Sequence, residues 1–113
     1  MSLTLGIVGT RTFDDYEFLE SELNKRFPRG IDCVVSGGAR GADALAKNYA
    51  INHNIPYKEF PAEWDELGKS AGYIRNRKIV DNCDHVVAFW DGKSRGTLNT
   101  IYLAKGKCTV IVY

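Results

Sequence analysis

Two rhythms of apolar residues alternate along the chain. Short apolar runs cover residues 3–8, 31–35, 85–90 and 108–113, and a further short strand is expected at 57–60. The run at 85–90 is continuous, as a central strand covered on both faces should be. Between the runs, apolar residues recur every three or four positions, the spacing of one helix face. Tyr16, Leu19, Leu23 and Phe27 do so within residues 13–27, and Ala42, Leu45, Ala46, Tyr49 and Ala50 do so after the second run. A third helical stretch is expected at about 73–82, and Leu98, Ile101, Tyr102 and Ala104 mark a fourth. Pro28-Arg29-Gly30 stops the first helix and Asn54-Ile55-Pro56 the second, while residues 61–65 and 68–72 read as loop. Strict alternation of strand and helix predicts an α/β fold in three layers. It has one five-stranded parallel sheet with right-handed crossovers, in a single domain over residues 1–113. A doubly wound sheet of this kind takes the strand order 3-2-1-4-5.

Composition narrows the picture without redirecting it. A chain of 113 residues, 44% hydrophobic and 26% charged, has enough apolar material for one modest core and not for two. Lys and Arg number 15 against 14 Asp and Glu, so a net charge of +1 exerts no global pull toward nucleic acid or membrane, and any basic patch must be local. Val86-Val87-Ala88-Phe89-Trp90 is far shorter than the roughly 20 residues needed to cross a bilayer. No charged-then-apolar leader precedes the first strand, which places the expected site of action in the cytoplasm. Cys33, Cys83 and Cys108 are odd in number, lack CxxC spacing and lie in or beside apolar segments, as buried reduced thiols do. Neither His53 nor His85 has a neighbour at metal-ligand spacing, so no metal and no cofactor are expected.

The candidate chemistry gathers where strands end. Ser36-Gly37-Gly38-Ala39-Arg40-Gly41 joins the second strand to a helix that carries Asp43 in its first turn. Its glycines permit positive φ and close approach, and the first N–H groups of a helix attract anions. Gly9-Thr10-Arg11 follows the first strand, Glu63 to Asp65 the third, and Asp91 to Thr97 the fourth. In a doubly wound sheet these ends share one rim, and the ligand crevice lies where strand order reverses, here between the first and fourth strands. Arg11 and the 91–97 loop then face each other, with two helix N termini aimed at the same crevice.

Each residue also has a plainer role to set against this one. Arg11 either clamps a phosphate or pairs with Asp14, and Arg40 is either a clamp or solvated. Asp43 either satisfies helix N–H groups or holds ribose hydroxyls. Arg75, Asn76 and Arg77 cannot all face the sheet, and Arg75 is assigned to the crevice with Asn76 orienting it. Lys69 and Ser70 are weaker candidates. Trp64, Tyr73 and Trp90 stack on a base or pack the core. Glu63 and Asp91 are the acids best placed for catalysis. Gly68-Lys69-Ser70 and Gly92-Lys93-Ser94 look like the end of a P-loop, but Glu63 and Val87 stand where its first glycine belongs. Ser36-x-Gly38-x-x-Gly41, with Glu59 further on, narrowly misses the dinucleotide fingerprint because Ser36 replaces its first glycine.

Val35 to Asp43, Ala71-Gly72-Tyr73-Ile74-Arg75-Asn76-Arg77 and Ser94-Arg95-Gly96-Thr97 together resemble the SLOG superfamily, most of all its small YspA-like branch. The resemblance spans nearly the whole chain. It implies a Rossmann-like domain that binds nucleotides or nucleotide-derived ligands, as sensor or processing domain. The superfamily also holds the DNA-processing protein DprA and the Lonely Guy phosphoribohydrolases. By position, the first glycine-rich turn and Gly96-Thr97 match its phosphate or ribose contacts, and Arg75-Asn76 its arginine on the third helix. In Lonely Guy enzymes the second turn reads PGGxGTxxE, with a glutamate that helps cleave the glycosidic bond. Here the leading PGG is missing and Thr100 holds the glutamate's place. Hydrolysis of a nucleotide N-glycosidic or phosphoribosyl bond would therefore need Glu63 or Asp91 instead. The DprA likeness adds single-stranded DNA as an alternative partner, against which the near-zero charge speaks. The superfamily also implies a homo-oligomer.

Overall fold

The computed structural model describes residues 3–62 and 68–113. Its elements in chain order are β1 (Thr4–Gly9), α1 (Tyr16–Arg26), β2 (Cys33–Ser36), α2 (Ala42–Asn52), β3 (Tyr57–Glu59), α3 (Ala71–Asp81), β4 (His85–Phe89), α4 (Arg95–Ala104) and β5 (Thr109–Val112). A short 3-10 turn, Gly68–Ser70, leads into α3. The five strands form one parallel sheet in the order β3-β2-β1-β4-β5, the Rossmann-like arrangement expected from the alternation. From β1 the chain moves outward through β2 to β3, then crosses back to β4 and continues to β5. β1 and β4 therefore lie side by side, with their connections leaving in opposite directions, which opens a crevice beyond their carboxyl ends.

Alternation along the strands divides the core between the two faces of the sheet. Leu5, Ile7, Val34, Val87 and Phe89 pack against Leu19 and Leu23 of α1 and Ala46, Tyr49 and Ala50 of α2. On the opposite face Val8, Val35, Val86 and Ala88 meet Ile79 and Val80 of α3 and Ile101 and Ala104 of α4. Gly6 belongs to this second face, where an added Cβ would press on Cys83 and Ile79.

Three local expectations need correction. α1 starts at Tyr16 and not at residue 13, because the Asp15 side chain caps it by accepting the Phe18 N–H at 3.1 Å. Phe13 is thereby left to stack on Phe89, with ring centroids 4.9 Å apart. Ala71 and Gly72, expected in a loop, are the first residues of α3, and burial of Ala71 outweighs the poor helix propensity of the glycine beside it. The three thiols are free but half-buried, not wholly enclosed, and burial with Cys108 alongside pushes the Cys83 thiol up to about 12. Among the described residues no helix is long and apolar enough to cross a membrane.

Leu19 is wholly buried whereas Ile51 is largely exposed. Leu19→Ala should cost about 2–5 kcal/mol and Ile51→Ala no more than about 0.5 kcal/mol, read from urea unfolding midpoints at constant slope.

Candidate functional site

Thr10, immediately after β1, ties three elements together at the crevice. Its N–H donates to the Phe89 carbonyl at 2.9 Å, and its own carbonyl accepts the N–H groups of Phe13 at 3.1 Å and Ala42 at 3.2 Å. Its hydroxyl accepts the Asp91 N–H at 3.0 Å. The ends of β1 and β4 and the start of α2 are thus locked to one buried residue. Gly41 makes this contact possible. Its φ is +74°, and a Cβ there would strike the backbone of Thr10 and Arg11. The same contact modifies the expectation of two open helix N termini, because the first N–H of α2 is already bonded to Thr10. The first turn of α4, with Gly96 and Thr97, does line the crevice.

The two halves of the rim are joined by a relay. The Arg75 Nη1 donates to the Gly37 carbonyl at 2.9 Å, and its Nε donates to the Asn76 Oδ1 at 3.0 Å. The Asn76 Nδ2 in turn donates to the Gly96 carbonyl at 3.2 Å and to the Asn99 Oδ1 at 3.1 Å. Asn76 is buried, Arg75 half-buried and Arg77 exposed, so neighbouring positions on α3 divide as helix geometry requires. Two of the five guanidinium N–H groups are used in the relay, which leaves the remainder of the fork for a ligand.

The acids of the crevice are held in different states. Asp91 is exposed, and its Oδ1 accepts the N–H groups of Ser94 and Lys93, each at 2.8 Å, which hold its carboxyl below the usual range. Asp43 is only 6% exposed, and burial raises its carboxyl, with the Ala39 N–H at 3.1 Å and the charge of Arg75 working in the opposite sense. It closes the glycine-rich turn from within. Burial also draws the Arg75 guanidinium down, opposed by the charge of Asp43. At the start of α4 the Ser94 hydroxyl accepts the Thr97 N–H at 3.4 Å and lies 3.1 Å from the Thr97 hydroxyl. Thr100 donates its hydroxyl to the Gly96 carbonyl at 3.2 Å.

Gly9, Thr10, Arg11, Ala39, Asp43 and Arg75 line a single cleft of ≈ 400 Å³ together with Asn76, Asp91, Ser94, Gly96 and Thr97. Gly37, Gly38 and Arg40 border an adjoining cleft of ≈ 330 Å³ that shares Arg11, Ala39 and Arg75 with the first. Ser36 and Gly41 border neither. Ser36 is wholly buried beneath the turn, and its hydroxyl has no hydrogen bond of good geometry although it lies near enough to Asp43 to favour that residue's ionised form. Glu63, Trp64 and Asp65 fall outside the described residues. Trp90 donates its indole N–H to the Ser94 carbonyl at 3.0 Å, which gives it a structural task, and Tyr73 is exposed on α3. Sequence reading missed Thr12 and Ile79 in the cleft wall and Asn99 behind Asn76. Asn99 carried no motif, because its role depends on how α3 and α4 pack.

The cleft combines arginine donors and a helix start with two carboxylates able to accept hydrogen bonds from hydroxyls, a set suited to a phosphorylated sugar. Among the described residues no group of three His, Cys, Asp or Glu side chains could hold a metal ion.

A parallel sheet with order 3-2-1-4-5 and a polar crevice at its switch point defines a Rossmann-like domain. The chain belongs to the YspA, cpYpsA-related SLOG family, whose family model matches residues 6–66. It is similar to the gene 61 protein of Mycobacterium phage D29, with 38% identity over 101 residues that cover 80% of this chain and 79% of that protein. In fold it is similar to DNA processing protein A from Helicobacter pylori, solved for its single-stranded DNA binding mode, with a TM-score of 0.65 and 21% identity. That likeness covers 97% of this chain and 64% of the solved chain, so the domain spans a little under two thirds of that structure.

A Cβ on Gly37 would collide with the Arg75 guanidinium and the Asp43 carboxylate, whereas one on Gly96 meets open space. Gly37→Ala should therefore cost about 1–3 kcal/mol in chemical denaturation, with Gly96→Ala within about 1 kcal/mol of the parent. For Asp91 the pKa is lowered, so the stability it contributes is complete above the ordinary aspartate value and is lost as pH falls through the lowered one. Asp91→Ala should lower Tm at neutral pH, and the gap to wild type should close in acid; a gap constant across a Tm-versus-pH series would contradict this assignment.

Proposed function

We propose that the chain binds a nucleotide or a nucleotide-derived ligand, with its phosphate against Arg75, Arg11 and the first turn of α4 and its ribose hydroxyls toward Asp43 and Asp91. The observation that carries this reading is the Gly37–Arg75–Asn76–Gly96 relay, which fixes a guanidinium between the two glycine-containing turns with part of its fork unused. Family membership supports it, since the SLOG resemblance implies this ligand class. The test is a thermal-shift panel of nucleoside monophosphates, cyclic nucleotides and ADP-ribose. A ligand at one hundred times its Kd stabilises by about 2.7 kcal/mol. Arg75→Ala should abolish the shift while the protein stays folded, and a panel without any stabiliser would defeat the reading. Chromatography of the incubated nucleotide reports in parallel whether base is released.

A second reading, single-stranded DNA binding, draws on the fold likeness to DNA processing protein A and on Arg11, Arg40 and Arg75 bordering adjoining clefts. Binding of a labelled oligonucleotide at low salt, weakening steeply as salt rises, is its signature. Its absence at low salt removes this alternative and leaves the small ligand.

A further inference from the structure

Beside the polar cleft lies a second cavity of ≈ 410 Å³ with a different character. Phe89 stacks between Phe13 and Tyr113, with centroid distances of 4.9 Å and 5.3 Å and interplanar angles of 25° and 15°. Phe18 stands edge-on to Phe89 and Tyr113, at 6.1 Å and 5.5 Å. These four rings, with Trp90, make up most of the cavity wall. Phe13, Phe89 and Tyr113 sit on the sheet face covered by α1, at the end of β4 and β5 where that helix begins, and Phe18 remains 37% exposed there. An aromatic cluster that closed the core would bury such a ring. This one opens it toward a cavity.

The two cavities adjoin: Thr10, Thr12 and Asp91 line both, which sets the rings next to the polar cleft. Resting on the reading of the polar cleft as a nucleotide site, we propose that the aromatic cavity is the nucleobase subsite and that it takes a purine carrying an exocyclic amine. The cluster offers a broad apolar contact to a two-ring base, and stacking on aromatic side chains is favourable for any π face. Asp14 at its border is a carboxylate, which when ionised only accepts hydrogen bonds and so suits an amine edge. The phosphate and ribose then occupy the cleft of Arg75 and Asp43, and the glycosidic bond crosses the shared wall beside Thr12.

Isothermal titration of the full chain with AMP, GMP, UMP and ribose 5-phosphate tests this. AMP or GMP should bind at least about tenfold more tightly than both UMP and ribose 5-phosphate. Phe18→Ala should bring the purine nucleotides to within a few-fold of ribose 5-phosphate, whose own affinity stays unchanged. Phe18 is partly exposed, which favours a folded variant, and the comparison within the wild type stands without it. Ribose 5-phosphate or UMP binding as tightly as both purine nucleotides overturns the subsite and leaves the polar cleft intact. A purine preference that survives in folded Phe18→Ala and Phe13→Ala also overturns it. If none of the four probes binds, the subsite is overturned, while the thermal-shift panel with cyclic nucleotides and ADP-ribose decides the nucleotide reading separately.

Discussion

The Gly37 to Gly96 relay through Arg75 and Asn76 is the constraint on which the shape of the crevice depends. The strands that flank the switch point send their chains in opposite directions, so the turns after β2 and β4 belong to separate halves of the domain. A hydrogen-bonded side-chain pair from α3, an element of neither turn, spans the distance between them. The consequence reaches into the sequence. Gly37 must lack a side chain because the guanidinium fills the space where one would be. Asn76 must offer both an acceptor to Arg75 and a donor to Gly96, a combination that an amide supplies and a carboxylate does not. Thr10 performs the corresponding task on the other side of the crevice, using its N–H, carbonyl and hydroxyl to hold β1, β4 and α2 at one point.

Because these groups are engaged in holding the rim, the electrostatics of the crevice are balanced and not uniformly positive. Arg11, Arg75, Asp43 and Asp91 all line it, and the Arg75 guanidinium and Asp43 carboxylate lie side by side at Gly37. The arginines suit an anion, and the carboxylates suit neutral hydroxyls beside that anion. The net charge of +1 follows the same economy, with the acids of α1 offsetting basic residues gathered elsewhere.

Much of the fold was legible because strand and helix alternate strictly and the two periods differ. The order of the strands was expected from taking the sheet as doubly wound, with the order reversing between β1 and β4. What escaped was set by contacts distant in sequence. Phe13 continues the helical spacing of α1, yet stacking on Phe89 and capping by Asp15 keep it outside the helix. Ala71 and Gly72 look like loop until tertiary packing buries Ala71. The glycine-rich turn was readable as a close approach, but its motif could not reveal that Arg75 is what approaches Gly37, or that Thr10 closes the start of α2. Asn99 is an ordinary helix residue in sequence and a second anchor for Asn76 in space. The aromatic cavity was invisible for a related reason. Phe13, Phe18, Phe89 and Tyr113 come from a loop, a helix, a strand and the position just after β5, and only packing assembles them.

The distribution of acids also bears on whether such a site would hold its ligand or cleave it. A general acid must keep a proton to donate and a base must have a free lone pair near the scissile bond. Asp91 has two backbone N–H groups on one oxygen and is held in its ionised form, which makes it a poor acid and weakens it as a base. Asp43 is the more basic of the two, but it is buried in the turn and accepts the Ala39 N–H. Thr100, at the position where Lonely Guy enzymes carry their glutamate, directs its hydroxyl back to the Gly96 carbonyl. The carboxylates of the described cleft are therefore engaged in maintaining its two turns, and those bonds leave little carboxylate chemistry for bond cleavage.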